Sequence, residues 1–130
     1  MAEAGKNQVI TKTRRKKLVR ASAGAIALPK IVGMVFGSGG VDTSGTVVAP
    51  TEEQTTLNAE IFRKKIDGYT FPSDTTCRYS CTLTESECAG KKISEIGLYD
   101  EDGDVVAIKN FLEKGKDDDI EQTYEIDDIF

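Results

Sequence analysis

Three carboxylates at alternating positions, Asp100, Asp102 and Asp104, come nearest in this chain to a known chemical spacing. They match the first, third and fifth positions of an EF-hand calcium loop, whose oxygens wrap one hard cation. The rest of that loop is missing. Val105 stands where a sixth-position glycine must turn the chain, and Phe111 where a bidentate glutamate must close the site. Residues 93–107 read instead as a β-hairpin, with Asp100, Asp102 and Gly103 forming the turn between two β-prone runs. Gly103 can take a positive φ without a Cβ penalty, and Asp102 tolerates left-handed geometry. The expectation is an acidic turn facing water, with no metal.

Other candidate chemistry is sparse. Cys77, Cys81 and Cys88 are odd in number, which rules out a complete internal disulfide framework, and three thiolates without any histidine do not close a structural zinc site. They read as free thiols acting as small core residues. Gly37-Ser38-Gly39-Gly40 lacks the following Gly-Lys-Ser/Thr and the helix of a phosphate loop, so it reads as a turn. Without histidine the commonest general base is gone, and no Ser or Cys sits in a nucleophile elbow. The expectation is a protein with no catalytic residues and no cofactor.

Charge is the stronger signal. The chain has 17 basic and 22 acidic residues, yet residues 1–30 hold eight basic residues and one acid, while 91–130 hold five basic and thirteen acidic. Such polarity points to head-to-tail association or to pairing of the two ends within one chain. Lys12, Arg14, Arg15, Lys16, Lys17 and Arg20 form a candidate protein-docking face. The rival reading is phosphate neutralisation on nucleic acid, against which stand the absence of interleaved aromatics and the acidic whole.

The elements that would carry these residues follow from periodicity. Residues 1–10 read as a mobile arm and 11–130 as a single domain. Thr11 is a plausible N-cap for a helix whose Leu18, Ala21 and Ala25 line one face, with Lys12, Lys16 and Arg20 on a neighbouring stripe and Arg14 spoiling the pattern. Pro29 ends it, and 31–36 form a buried strand. Thr51-Glu52-Glu53-Gln54 has the form of a capping box and predicts a short second helix. Residues 60–71 read as one edge strand carrying Arg63-Lys64-Lys65, charges that deter edge-to-edge pairing. Alternation then predicts strands near 77–84 and 120–127, with Cys77 and Cys81 inward together. The fold class expected is α+β: an N-terminal helix and a short second helix packed on a mainly antiparallel sheet of five or six strands. No stretch reaches the ~20 uninterrupted apolar residues of a membrane span, and no secretory signal is evident.

Residues 93–107, Ile-Ser-Glu-Ile-Gly-Leu-Tyr-Asp-Glu-Asp-Gly-Asp-Val-Val-Ala, resemble the "I-x-E-I-G-L-Y-D-x-x-G-x-L-v-A" signature of the phage tail-collar fibre family. The resemblance extends over residues 11–108: an opening helix at 11–26, a strand ending in "G-x-G" at 32–40, and "L-x-N-E-x-x-R" at 57–63, where Ala59 intervenes between Asn58 and Glu60. It implies a non-enzymatic structural protein of a virion tail or phage-derived contractile particle, made and assembled in the bacterial cytoplasm. Implied partners are other tail or baseplate proteins and further copies of the chain, a trimer above all. With the chain ending at Phe130, no shaft follows, so the expectation is an adaptor or baseplate component rather than a complete receptor-binding fibre.

Overall fold

Short β-prone runs, some continuously apolar and some alternating, make the chain mostly β. The computed structural model describes residues 7–130, and its elements in order are β1 (Gln8–Ile10), α1 (Lys12–Ser22), β2 (Ile31–Gly37), β3 (Glu60–Lys65), β4 (Gly68–Ser73), β5 (Thr76–Leu83), β6 (Lys92–Asp100), β7 (Val105–Gly115) and β8 (Gln122–Ile129). They form two antiparallel sheets, one of five strands in the order β1-β7-β6-β2-β3 and one of three in the order β4-β5-β8.

The expected α+β fold with two helices on one sheet is therefore corrected to a two-sheet structure with a single helix among the described residues. Two local events account for the difference. The run 60–71 is not one strand: the chain leaves the first sheet after Lys65 and enters the second at Gly68, with Ile66 N–H bonded to Val32 O and Asp67 N–H to Ser80 O. At Thr51 the capping-box contact does form, since Gln54 Oε1 accepts from Thr51 N–H at 2.9 Å. No helix propagates from it. One turn does not recover the cost of nucleation, Thr55 and Thr56 are β-branched, and the N–H groups of Asn58 and Ala59 are held by the Glu95 carboxylate.

Part of the arm expected over residues 1–10 is instead a strand. Gln8–Ile10 pairs with β7, while residues 1–6 lie outside the described residues.

The main core lies between the sheets. Met34 and Phe36 of β2, Ile96 and Leu98 of β6, Cys81 and Leu83 of β5, and Tyr124 and Ile126 of β8 meet there, with the Tyr124 ring edge-on to Phe36 at 5.4 Å. A smaller cluster of Val35, Leu57, Val105 and Ile108 occupies the opposite face of the five-stranded sheet. The long connection between β2 and β3 contributes its Leu57, so β6 is buried on both faces.

The alternation of β5 holds, but the cysteines part company. Cys81 is fully buried, whereas Cys77 and Cys88 are half-buried, and burial, with the Asp67 carboxylate adding to it, pushes the Cys81 thiol up to about 12. At pH 7.5 the native protein should react with a thiol-directed reagent at Cys77 and Cys88, with Cys81 modified only at the rate of unfolding. Mass-spectrometric mapping of the labelled sites checks this.

Candidate functional site

Helix α1 starts where the sequence places it. Thr11 Oγ1 accepts from Arg14 N–H at 3.3 Å and donates to Val105 O at 2.9 Å, while Thr11 N–H donates to Val106 O, so the cap is pinned to β7. The inward stripe of the helix is Arg14, Lys17, Leu18 and Ala21, at helical spacing, and two of its four members are cations.

Arg14 is buried. Its Nη1 donates to Asp128 Oδ2 of β8 at 2.6 Å, and its guanidinium lies over the Phe130 ring, 5.2 Å from the centroid. The expectation that Arg14 merely interrupts an apolar face is thus corrected: it is the side chain that ties the helix to the second sheet.

Lys17 goes to the hairpin tip. Its ammonium donates to Asp100 Oδ2 at 2.6 Å, Asp104 Oδ2 at 2.8 Å and Asp102 Oδ2 at 3.0 Å, using all three N–H groups. The turn is built around Asp100, whose Oδ1 accepts from the N–H groups of Asp102 and Asp104, while Gly103 takes φ +84° and donates to Asp100 O. The carboxylates of Asp100, Asp102 and Asp104 lie close enough to hold a cation, and the Lys17 ammonium is bonded to all three. Burial alone would lower the Lys17 pKa, but hydrogen bonds to Asp100, Asp104 and Asp102 together outweigh it and hold it well above the ordinary lysine value.

The other basic residues face outward. Lys12 and Arg15 approach Glu53 and Glu52 at 3.6 and 3.3 Å, pairs about half exposed and worth at most about 1 kcal/mol each. Lys16 and Arg20 have no carboxylate partner among the described residues, and Arg20 bonds only the Lys16 carbonyl. The candidate face is thereby divided: Arg14 and Lys17 bind the chain's own acids, Lys12 and Arg15 are loosely paired, and Lys16 and Arg20 remain open beside the exposed Val19.

Sequence reasoning missed one of the most connected residues. Glu95 of β6 is fully buried, and its carboxylate accepts from three backbone N–H groups, Gly39 at 2.8 Å, Asn58 at 2.8 Å and Ala59 at 2.7 Å. Beside it Ser94 Oγ accepts from Gly40 N–H at 2.8 Å. Gly40 must be glycine, because a Cβ there would meet Ser94 O at 1.9 Å. The glycine turn thus does bind an anion, but that anion is the chain's own. A lone glutamate within an apolar run was the available signal.

Arg63 was missed as well. It stacks on Tyr99 at 4.7 Å, pairs with Glu60 at 3.0 Å and donates to Gly103 O. Glu60, opposite Gly37, and Phe62, opposite Phe36, bracket a one-residue bulge at Ile61.

Polar residues devoted to internal ties, on a two-sheet scaffold, define a structural domain. A family model of the phage tail-collar fibre protein, N-terminal, matches residues 4–126, nearly the whole chain, and the chain belongs to that family. No curated relative and no solved structure matches it. The family is a structural one, and it makes this protein a tail fibre component of a virion that associates with other tail proteins. No helix among the described residues is long and apolar enough to cross a membrane.

Two outcomes are expected of the site. Glu95→Gln aims an amide donor at a cradle of donors and should cost about 3 kcal/mol, read as a lowered urea midpoint at unchanged slope. Lys17→Met leaves three carboxylates without their cation and should cost about 2 kcal/mol, less than a fully buried pair because Asp102 and Asp104 are 58% and 49% exposed. Because the folded-state pKa of Lys17 is raised, its contribution is full below the unfolded value of about 10.4 and is lost as pH rises through the folded value. The gap in melting temperature between wild type and Lys17→Met should therefore stay constant from pH 7 to about 10 and narrow above it.

Proposed function

We propose that this protein is a fibre attachment or adaptor component at the baseplate region of a contractile phage tail or a phage-derived particle, working as a symmetric oligomer with a trimer favoured. The match of residues 4–126 to the N-terminal part of tail-collar fibre proteins carries this reading. In it, the helix docks the domain onto a neighbouring tail protein through its outer face, Lys16, Val19 and Arg20. Two observations support that face. Val19 is 68% exposed, and the flanking cations have no internal carboxylate partner among the described residues. The nucleic-acid reading loses ground on a separate count, because Arg14 and Lys17 are committed to Asp128 and the hairpin tip and fewer cations are left for phosphates.

The double variant Lys16→Ser with Arg20→Ser tests the face. Both side chains are exposed, so stability should change by only about 0.5 kcal/mol each. Incorporation into particles, followed by labelled-protein electron microscopy, should fall sharply while the melting curve stays put. Normal incorporation, together with salt-steep DNA binding by the wild type that the variant loses, would transfer the role of this face to nucleic acid.

A further inference from the structure

Two charge clusters of opposite sign find no partner within the described chain, and they sit at opposite ends of the β6–β7 hairpin. At the tip end is the outer face of α1, where the exposed Lys16 and Arg20 flank the exposed Val19 and bond no carboxylate among the described residues. At the far end is the turn that joins β7 to β8. There Asp117, Asp118, Asp119 and Glu121 surround Ile120, and all five are exposed. The neighbouring ion pair of Lys92 with Glu113, at 3.6 Å, leaves these four carboxylates out, and neither Lys91 nor Lys114 bonds them.

β7 spans the two ends. Its first residue, Val105, accepts from the Thr11 cap of the helix, and its last, Gly115, leads into the acidic turn. Its 11 residues, at about 3.3 Å each, put roughly 30 Å between them, several times the reach of a lysine or arginine side chain. The two clusters therefore do not meet within one chain. The acidic turn is also held ready. Buried Lys116 donates from Nζ to Glu85 O at 2.9 Å and to Asp117 O at 2.8 Å, and Gln122 Nε2 donates to Gly115 O at 2.8 Å, so the turn is clamped at both ends. A turn fixed beforehand loses little freedom when it is bound.

We infer that the acidic turn 117–121 of one copy docks on the outer face of α1 of the next, head to tail, with Ile120 against Val19 and the carboxylates against Lys16 and Arg20. This rests on the docking face and the oligomer proposed above and names the partner of that face. Complementarity selects a second copy as the occupant: free charge of each sign, out of its own chain's reach, is satisfied by repeating the chain. An apolar centre rimmed by charge on both sides also has the layout of a protein interface. Because the contact joins two different patches it repeats from copy to copy, and a closed ring leaves neither cluster open.

Sedimentation equilibrium of the intact protein at low salt tests the inference. Wild type should associate. Lys16→Glu with Arg20→Glu, and separately Asp118→Lys with Asp119→Lys, should each weaken association roughly a hundred-fold, because like charges then face one another. All four changes in one chain reverse both sides of the contact and should restore association to near the wild-type level. Asp74→Lys, at an exposed acid in the β4–β5 turn, should leave association unchanged. Every position changed is exposed, so each variant should keep the wild-type circular dichroism spectrum. A monomeric wild type would overturn both the oligomeric reading and this contact. An oligomer indifferent to either reversal, or one that the four changes together fail to restore, would overturn the contact alone. Particle incorporation separates the contact from the docking face itself: if Lys16→Ser with Arg20→Ser blocks incorporation while Asp118→Lys with Asp119→Lys does not, the helix docks on a different protein and the head-to-tail contact is wrong.

Discussion

The rest of the structure depends on one buried carboxylate. Glu95 sits on β6, and its three N–H donors come from the two ends of the long connection between β2 and β3, Gly39 at its start and the adjacent Asn58 and Ala59 at its end. A carboxylate removed from water must be compensated by hydrogen bonds or it destabilises the fold, and backbone N–H groups inside a folded-over loop must be compensated as well. Each satisfies the other here. The connection between Gly37 and Glu60 has almost no secondary structure of its own, and this tie folds both of its ends onto the sheet and brings Leu57 into the second core cluster. Three of the four segments that resemble the family pattern, the hairpin, the glycine turn and the Leu57–Arg63 stretch, meet at this carboxylate or one residue from it. Their residue types are explained by that meeting: a glutamate to accept, glycines because Ser94 and Glu95 leave no room for a Cβ, and a following arginine that stacks on Tyr99.

With that face closed by loop, the other is left for a second sheet. β6 is buried on both sides because the loop covers one and β5 and β8 cover the other. The passage from β3 to β4 carries the chain between sheets in two residues, and Lys64 secures it by donating to Thr82 O and to Glu87 across the gap, each at 2.8 Å. The charges of β3, read from the sequence as guards of an open edge, thus also do attractive work between the layers.

Much of this was legible in the sequence, and what was not shares a cause. The hairpin, the strands around 31–36 and 77–84, the Thr11 cap and the outward stripe of Lys12, Lys16 and Arg20 are local patterns, and local patterns survive into the structure. The second helix was equally local, and it failed because the N–H groups of Asn58 and Ala59 were claimed by Glu95, 37 and 36 residues away. The division of strands between two sheets was illegible because strand periodicity reports which face is buried and never against what. Arg14 was misjudged because an apolar criterion for the inward face cannot see a cation whose partner lies 114 residues on. Of the candidate docking residues, the pattern identified the stripe but not which cations the chain would keep for itself.

The acidic turn shows why such a pattern is ambiguous in principle. Asp100, Asp102 and Asp104 attract whatever positive charge reaches them with suitable geometry, and nothing in their spacing says whether it arrives from solution or from the chain. Here it arrives from Lys17, 83 residues before Asp100. A tethered ammonium needs no translational entropy to be recruited once the helix is docked, so it competes with a free ion at a large effective concentration. Docking the helix and neutralising the turn are consequently one event. The basic start of the chain and its acidic end, which looked like two poles available to a partner, meet within the chain at two points, Arg14 on Asp128 and Lys17 on the hairpin tip.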